Sequence, residues 1–461
     1  MKKMGRVSSL VLAGCMAAGL VGCGGGGSAA TTAADAKTEM AATTGAPTES
    51  TQSPAAAAQP STDEKVVTVM TITPPDDKYW KMLEDQKALF EKMNPGYVLE
   101  FTTGTMSMED GTLVTMLNSG VNLPDVINFS TGPSRVGPLA ASGNIRALDD
   151  LYEKYGWTEK LTPAALDLTT HIDGKLYEVP DTIDSIACYY NTEIFKELGL
   201  EVPTTWEEFL NICEKTKEAG YDPIALGARE GYSSGWFFGN LLQSTGGTEA
   251  SRKLIAGETK WTEAPASTTL ATLADFVGKG YISETSLTYN QSDALYSFLN
   301  GKAAMHFIGS WVISSIYDSG MEDKISSFPL PSQVGDPAYV TSGIGKSFAI
   351  PSGITDTTGA ELWMNFTMTP EYAELMGQQD AGSICTSKAF SEVKVKTELL
   401  QTSKDMIAEG AGRNPSAFIP TDTKNAYFQN IQGILAGIVT AEEAGQNIQD
   451  GQDKDLQAGM Y

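Results

Sequence analysis

The sequence predicts an α/β architecture in two lobes, each a mixed, mostly parallel sheet flanked by helices, on three observations. Residues 66–72 read Val-Val-Thr-Val-Met-Thr-Ile, a β-branched run without polar alternation, as in a strand buried on both faces. After it, segments of helical and strand character alternate as β-α-β-α-β, the signature of a layered α/β unit. Once a low-complexity N-terminal stretch is set aside, about 400 residues remain, more than one hydrophobic core normally supports.

The N-terminus has the form of an export signal. Lys2, Lys3 and Arg6 precede an uncharged, small-residue apolar run, 7–22, too short and too rich in Gly and Ala for a membrane span. It ends in Leu20-Val21-Gly22-Cys23, which resembles a lipobox, so Cys23 is the expected lipidation site and residues 1–22 the expected signal peptide. A second match, Leu12-Ala13-Gly14-Cys15, comes too early to leave a workable apolar core. Acyl chains partition at about 0.8 kcal/mol per buried methylene, so several together hold firmly. Residues 24–60 are almost wholly Gly, Ala, Thr, Ser, Pro and Gln, without Val, Ile, Leu or an aromatic residue. Such a segment has no apolar surface to offset its ordering entropy, so 23–64 is expected to be the lipidated Cys and a disordered tether.

The formal net charge is −25. Cleavage before Cys23 would remove Lys2, Lys3 and Arg6 and no acid, leaving −28. Such a chain is repelled by nucleic acid and by an anionic membrane surface, so membrane contact is expected only through the lipid. Beyond Cys15 and Cys23, the cysteines are Cys188, Cys213 and Cys385, with no CxxC spacing. Three thiols allow at most one disulfide.

The first strand is followed by a Thr73-Pro74-Pro75-Asp76-Asp77 turn and by Trp80, Leu83, Phe90 and Met93 at helical spacing. Asn94-Pro95-Gly96 should stop that helix. Residues 97–101 read as the next strand, 106–118 as a helix and 125–129 as a third strand. Right-handed crossovers make this a doubly wound layer whose ligands lie beyond the carboxyl ends of the strands. Those ends carry Asp76, Asp77, Lys78 and Tyr79, then Phe129, Ser130 and Thr131. Acidic, hydroxyl and aromatic groups on one edge fit a polyol, whose hydroxyls need polar partners and whose C–H face stacks on a ring. Farther on, Thr204 with Glu207, or Thr205 with Glu208, can form a capping box. Tyr189-Tyr190 reads as a strand turning into a helix from Thr192, and 301–307 as a turn entering a buried strand.

From Asp173-Gly174-Lys175-Leu176-Tyr177-Glu178-Val179-Pro180 onward the chain carries an ordered set of short motifs. They include Tyr189-Tyr190-Asn191-Thr192, Val202-Pro203-Thr204-Thr205-Trp206, Phe298-Leu299-Asn300-Gly301-Lys302-Ala303-Ala304-Met305, Gly309-Ser310-Trp311 and Met368-Thr369-Pro370-Glu371-Tyr372. Pro124-Asp125-Val126 and 143–150 precede them. Together they resemble the family 1 extracellular solute-binding proteins, the group of maltose-binding protein and many oligosaccharide binders.

The resemblance implies a two-lobed periplasmic-binding-protein fold of type II, with the ligand in the interlobe cleft. It implies crossings between the lobes near residues 180–182, 339–341 and 387–393, hence a first lobe of 65–180 plus 341–388 and a second of 181–340 plus 389–461. The implied function is capture of a sugar, most naturally an oligosaccharide, and its delivery by a monomer to an ABC permease, with no cofactor and no metal. Trp311 matches a cleft tryptophan that stacks on the sugar, with Ser310 beside it. Asp184, seven residues before Asn191, falls where relatives place a carboxylate for sugar hydroxyls; a solvated or capping carboxylate is the other reading. Trp236 matches a second aromatic wall, although Trp236-Phe237-Phe238 must also place rings in the core. Asp77 with Lys78, and Phe129 with Ser130, would form the first lobe's edge. Gly343 either admits ligand to the backbone or serves only the strand after it. The same fold could take iron, for which Tyr189-Tyr190 is the candidate pair, a polyamine or a phosphate ester.

Enzyme readings fare worse. Gly231-Tyr232-Ser233-Ser234-Gly235 matches the GxSxG elbow, which needs a strand directly before it and a histidine base; only His171 and His306 exist. Gly345-Lys346-Ser347 resembles the end of a phosphate loop, but Val340 stands where its first glycine belongs. Without HExxH or a cysteine cluster a zinc site is not expected. Acids are plentiful enough to leave an exported glycosidase open.

Overall fold

The computed structural model describes residues 64–71, 73, 75, 77, 79–104, 111–129, 131–379 and 382–461, all within one compact unit, Pro60–Tyr461. The signal peptide, Cys23, the tether, Lys78 and Ser130 lie outside the described residues. Strands are β1 (Lys65–Thr71), β2 (Tyr97–Thr103), β3 (Val126–Phe129), β4 (His171–Ile172), β5 (Lys175–Leu176) and β6 (Val179–Asn191). They continue with β7 (Asp222–Ala225), β8 (Ala303–Gly309), β9 (Ile325–Phe328), β10 (Val340–Ala349), β11 (Ile384–Cys385) and β12 (Ala411–Arg413). β4 and β5 form a small hairpin; the other ten make one mixed sheet in the order β2-β1-β3-β10-β6-β8-β7, with β9 and β11 on β6 and β12 on β10.

The first unit follows the sequence pattern. β1 pairs in parallel with β2 and β3, and the helix Trp80–Met93 crosses between β1 and β2, burying Leu83, Gln86 and Phe90. Phe90 is fully buried, edge-on to Phe366 with centroids 5.5 Å apart; burying such a ring contributes about 1.5–3 kcal/mol. Met93, read as part of the same apolar stripe, is instead exposed as the last residue of the helix. The next helix is Thr112–Ser119, starting after Gly111 in a left-handed conformation (φ 70°); residues 106–110 of the expected helix lie outside the described residues.

Two long strands tie the ends of the sheet together. β6 pairs antiparallel with β10 through its first half and with β8 through its second, and β10 reaches β3 at its C-terminal end. The register between β10 and β6 slips on both sides of Lys346, a bulge that bends β10 at Gly345. Cores lie at both ends: Met70, Leu113, Ile127, Phe129 and Val136 under β1–β3, and Phe209, Phe237, Phe276 and Phe307 beside β8. Local signals there act as read. Asn191 caps the helix Thr192–Glu197, and the capping box of Trp206–Glu218 is the Thr205–Glu208 alternative. Cys188, Cys213 and Cys385 are buried free thiols.

Candidate functional site

Where β6 and β10 cross the middle of the molecule, two adjoining cavities open on one face of the sheet. Alternation along β6 puts Asp184 and Ile186 in the first cavity's wall, while Ile183 before them and Ser185 between them are buried on the other side of the strand. The first cavity, of about 350 Å³, is also lined by Trp236, Trp311, Gly343, Arg135, Lys424 and Phe428. The second, about 300 Å³, lies beside Tyr79, Ser314, Lys346 and Gly382. Asp184, Trp311 and Gly345 border both, so they stand at the junction of one continuous cleft.

Two glycines shape that junction. A Cβ on Gly309, the last residue of β8, would strike the Trp311 ring; the bare backbone lets the indole fold over the strand end and stand half-buried in the cleft. A Cβ on Gly345 would lie 2.6–2.9 Å from the Asp184 carboxyl atoms, so the bulge in β10 makes room for the carboxylate. The Trp311 and Trp236 rings meet edge-on at 4.8 Å, and Tyr232 continues the series 5.3 Å from Trp236. Trp236 belongs to the first turns of the helix Tyr232–Ile255. Phe237 and Phe238, a further 100° and 200° around it, are fully buried. That settles which ring of the triplet faces the cleft.

The electrostatics centre on Lys346. Burial pushes the Asp184 carboxyl up to about 7, against the pull of Lys346. Asp181 is raised to about 6 by burial, again opposed by Lys346, and the Tyr372 hydroxyl lies 3.4 Å from its Oδ1. Across the cleft, the Tyr79 hydroxyl donates to Ser314 and the Lys424 ammonium to Ser134. Elsewhere, Asp167 receives Arg252 at 2.7 Å and Arg413 at 3.4 Å.

The structure thus brings Asp184, Trp236, Trp311 and Gly343 to one cavity. Three expected residues do not line it. Phe129 is fully buried in the core beneath β3, since a residue inside a strand flanked on both sides points to the layer, not the edge. Ser310 is 1% exposed, behind Trp311, its hydroxyl 3.5 Å from the Ser185 backbone N–H that donates to it. The Asp77 carboxylate accepts the Tyr79 N–H at 2.8 Å; it closes the turn, and Tyr79 is the residue that reaches the cleft. Gly345, Arg135, Lys424 and Phe428, which also line the cavity, were not assigned to the cleft from sequence. Only Gly345 had a local signal, its place in Gly343-Ile344-Gly345; the others arrive from helices remote in sequence.

The enzyme motifs dissolve on inspection of their atoms. β7 ends at Ala225, well before Gly231, and the Ser233 hydroxyl donates to the Gly227 carbonyl, so no strand–elbow–helix exists. Burial lowers His306 to about 4; its Nδ1 meets the Ala225 carbonyl at 2.9 Å and its Nε2 meets no protein group, so neither nitrogen serves a serine. Tyr189 is fully buried, and Tyr190 packs on Phe195 at 4.5 Å, which removes the pair proposed for iron. Among the described residues no three His, Cys, Asp or Glu side chains are grouped to hold a metal ion.

Comparison with known proteins gives a consistent picture. Residues 71–374 match the family described as "Bacterial extracellular solute-binding protein". The "Multiple sugar-binding protein" of Streptococcus mutans is 27% identical over 277 residues, covering 58% of this chain and 66% of that protein, just under two thirds of its length. A "Maltooligosaccharide ABC transporter solute-binding lipoprotein" of Streptococcus pneumoniae is 21% identical over 365 residues, 74% of this chain and 77% of that one. Among solved structures, a "Chitin oligosaccharide binding protein" superposes with a TM-score of 0.72 at 25% identity, over 85% of this chain and 99% of that chain. A maltose-bound protein of T. maritima shares the fold, with a TM-score of 0.66 at 19% identity, over 84% and 99% of the two chains.

Proposed function

The chain belongs to the bacterial extracellular solute-binding proteins, and from that membership we propose that it captures a carbohydrate, an oligosaccharide by the size of its cleft, for delivery to an ABC permease. The observation that carries this reading is the junction of Trp311, Trp236 and Asp184 between two cavities. Indole faces suit the C–H face of a pyranose. A carboxylate with no side-chain hydrogen bond among the described residues is an acceptor for sugar hydroxyls, and charge-assisted bonds of this kind are the strong ones. Cavities of about 350 and 300 Å³ on either side of the junction leave room for a unit on each side, within the range of pockets that enclose small ligands. The relatives named for sugars support the same cargo.

In this reading β6 and β10 are the connectors about which the segments 65–180 plus 341–388 and 181–340 plus 389–461 close on the ligand. Binding and release, not bond cleavage, are the activity, and the permease reads the closed form. Cys23 would carry the lipid that keeps the protein at the outer face of the membrane. Cys23→Ala should then lose metabolic palmitate labelling and appear in the medium; retention in the membrane fraction would refute the anchor.

The direct test is calorimetry of the mature protein against a panel of linear glucans, chitooligosaccharides, xylooligosaccharides and galactosides. At least one should bind with micromolar or tighter affinity and leave unhydrolysed sugar. A panel without binding, alongside a clear response to a polyamine or a phosphate ester, would replace the sugar reading.

A further inference from the structure

Behind the wall of the first cavity lies a group of polar atoms for which sugar capture has no use. Glu178, immediately before β6, has 0% of its surface exposed. Its Oε1 accepts the Thr170 backbone N–H at 2.9 Å. Its Oε2 has no protein partner, and the same holds for the buried hydroxyls of Thr131, Thr170 and Ser347. These hydroxyls belong to three separate segments: the end of β3, the approach to β4, and β10, where Ser347 lies opposite Pro180 of β6. All three are near enough to counter the rise that burial imposes on the Glu178 carboxyl, yet none meets it in hydrogen-bonding geometry. The groups that chiefly offset its burial are neutral hydroxyls and an amide, not a lysine or an arginine.

An ionised carboxylate out of water is costly unless something of opposite charge joins it. Four buried oxygens without a hydrogen-bond partner, three of them close enough to act on the fourth, call for an explanation, and a bound water or ion is the physical choice. We propose that Glu178, Thr131, Thr170 and Ser347 form a binding site for a small monovalent cation, sodium in the first instance, held between Glu178 Oε2 and the three hydroxyl oxygens.

The donor set favours that class. All the atoms are hard oxygens, the preference of alkali and alkaline-earth ions over thiophilic metals. One carboxylate balances one positive charge, whereas calcium sites gather several charged ligands. A chain of net charge −25 also concentrates small cations around itself. The ion would bind the end of β3 to the start of β6 and to β10, directly behind Thr131, which lines the cleft. It would stiffen the wall against which a ligand rests without touching that ligand.

The competing occupant is a proton on Glu178, with water beside it. The test is the melting temperature of the ligand-free mature protein in sodium chloride and in choline chloride at matched ionic strength and neutral pH. Sodium should raise it by about 2 °C or more, as binding to the folded state alone requires. Glu178→Gln, which keeps the shape and removes the charge, should melt alike in both salts. Ser347→Ala, a milder change, should need several-fold more sodium for the same rise. Thallium(I) soaked into crystals should give an anomalous peak in contact with Glu178 Oε2. Equal melting of the wild type in both salts, a sodium effect that survives Glu178→Gln, or no thallium peak would each overturn the proposal. None of these readouts involves sugar, so they stand or fall apart from the assigned cargo.

Discussion

Trp311 stands in the cleft because the residue two positions before it has no side chain: a Cβ on Gly309 would occupy the space of the indole. The ring is therefore held from behind by backbone and from the side by Trp236 at 4.8 Å, which would preorganise it for the proposed stacking on a sugar. Trp311→Ala should weaken binding of the preferred oligosaccharide by about 2 kcal/mol or more, roughly 30-fold in Kd, as aromatic anchors do. Circular dichroism should be unchanged, and an unaltered Kd would remove Trp311 from the site. Asp184 gives a pH signature. Its folded value of about 7 lies above the ordinary carboxylate value of 3.8, so between these the folded state holds a proton that the unfolded state has lost. Stability of the ligand-free protein should accordingly fall as pH rises from about 4 to about 7, with Asp181, raised to about 6, acting in the same sense. Asp184→Asn should flatten the upper part of that profile in thermal melts. Sugar hydroxyls donate to the ionised form, so affinity should rise through about pH 7, with proton release visible in calorimetry across buffers of different ionisation heat. A pH-independent affinity between 6 and 8 would refute the role given to the carboxylate.

At the scale of elements, the bulge in β10 does what bulges beside functional sites commonly do: it re-aims the chain at one position. Here the register slips around Lys346, and the consequence is a gap over Gly345 that the Asp184 carboxylate fills. Gly345→Ala puts a methyl group 2.6 Å from Asp184 Oδ1, and the side chain must rotate away. Affinity for the sugar should drop about tenfold or more, while the melting temperature changes little, because the strand itself accepts alanine. Equal losses of affinity in Gly345→Ala and in Gly343→Ala, whose Cβ would meet only the Ala417 Cβ at 3.3 Å, would show a general loosening of β10 instead of a local effect on Asp184.

For the whole molecule, one ion-pair cluster between the segments proposed to close offers a test of that closure. Asp167, from the helix Pro163–Leu168, meets Arg252 of the helix Tyr232–Ile255 and Arg413 of β12, and the two arginines help keep its carboxyl below the usual range despite burial. All three side chains are partly exposed, so their pairing adds at most about 1 kcal/mol and weakens with salt. Asp167→Ala should lower sugar affinity by a few-fold at low salt, with the difference shrinking at high salt. Small-angle scattering should show the liganded variant less compact than the liganded wild type. No change in either would mean that closure does not depend on this contact.

What was legible in the sequence follows from locality. The β-branched run of β1, the capping box at Thr205, the Asn191 cap and the collinear motifs are short-range patterns, each dictated by neighbours along the chain, and together they determined the α/β class and the family. That Trp311 and Asp184 line the cleft was legible through the family resemblance, from their places beside Gly309-Ser310 and seven residues before Asn191. Phe129 and Ser310 were misplaced because position in a strand or turn does not reveal which face is buried; that depends on what packs above it. Arg135, Lys424 and Phe428 came from distant helices, and no local signal could bring them together. Only the tertiary structure decided that Asp184 sits over Gly345, that Asp77 belongs to its own turn, and that Glu178 is buried among three hydroxyls. Each is set by the register and packing of segments far apart in the chain, a property of the folded arrangement and not of any stretch within it.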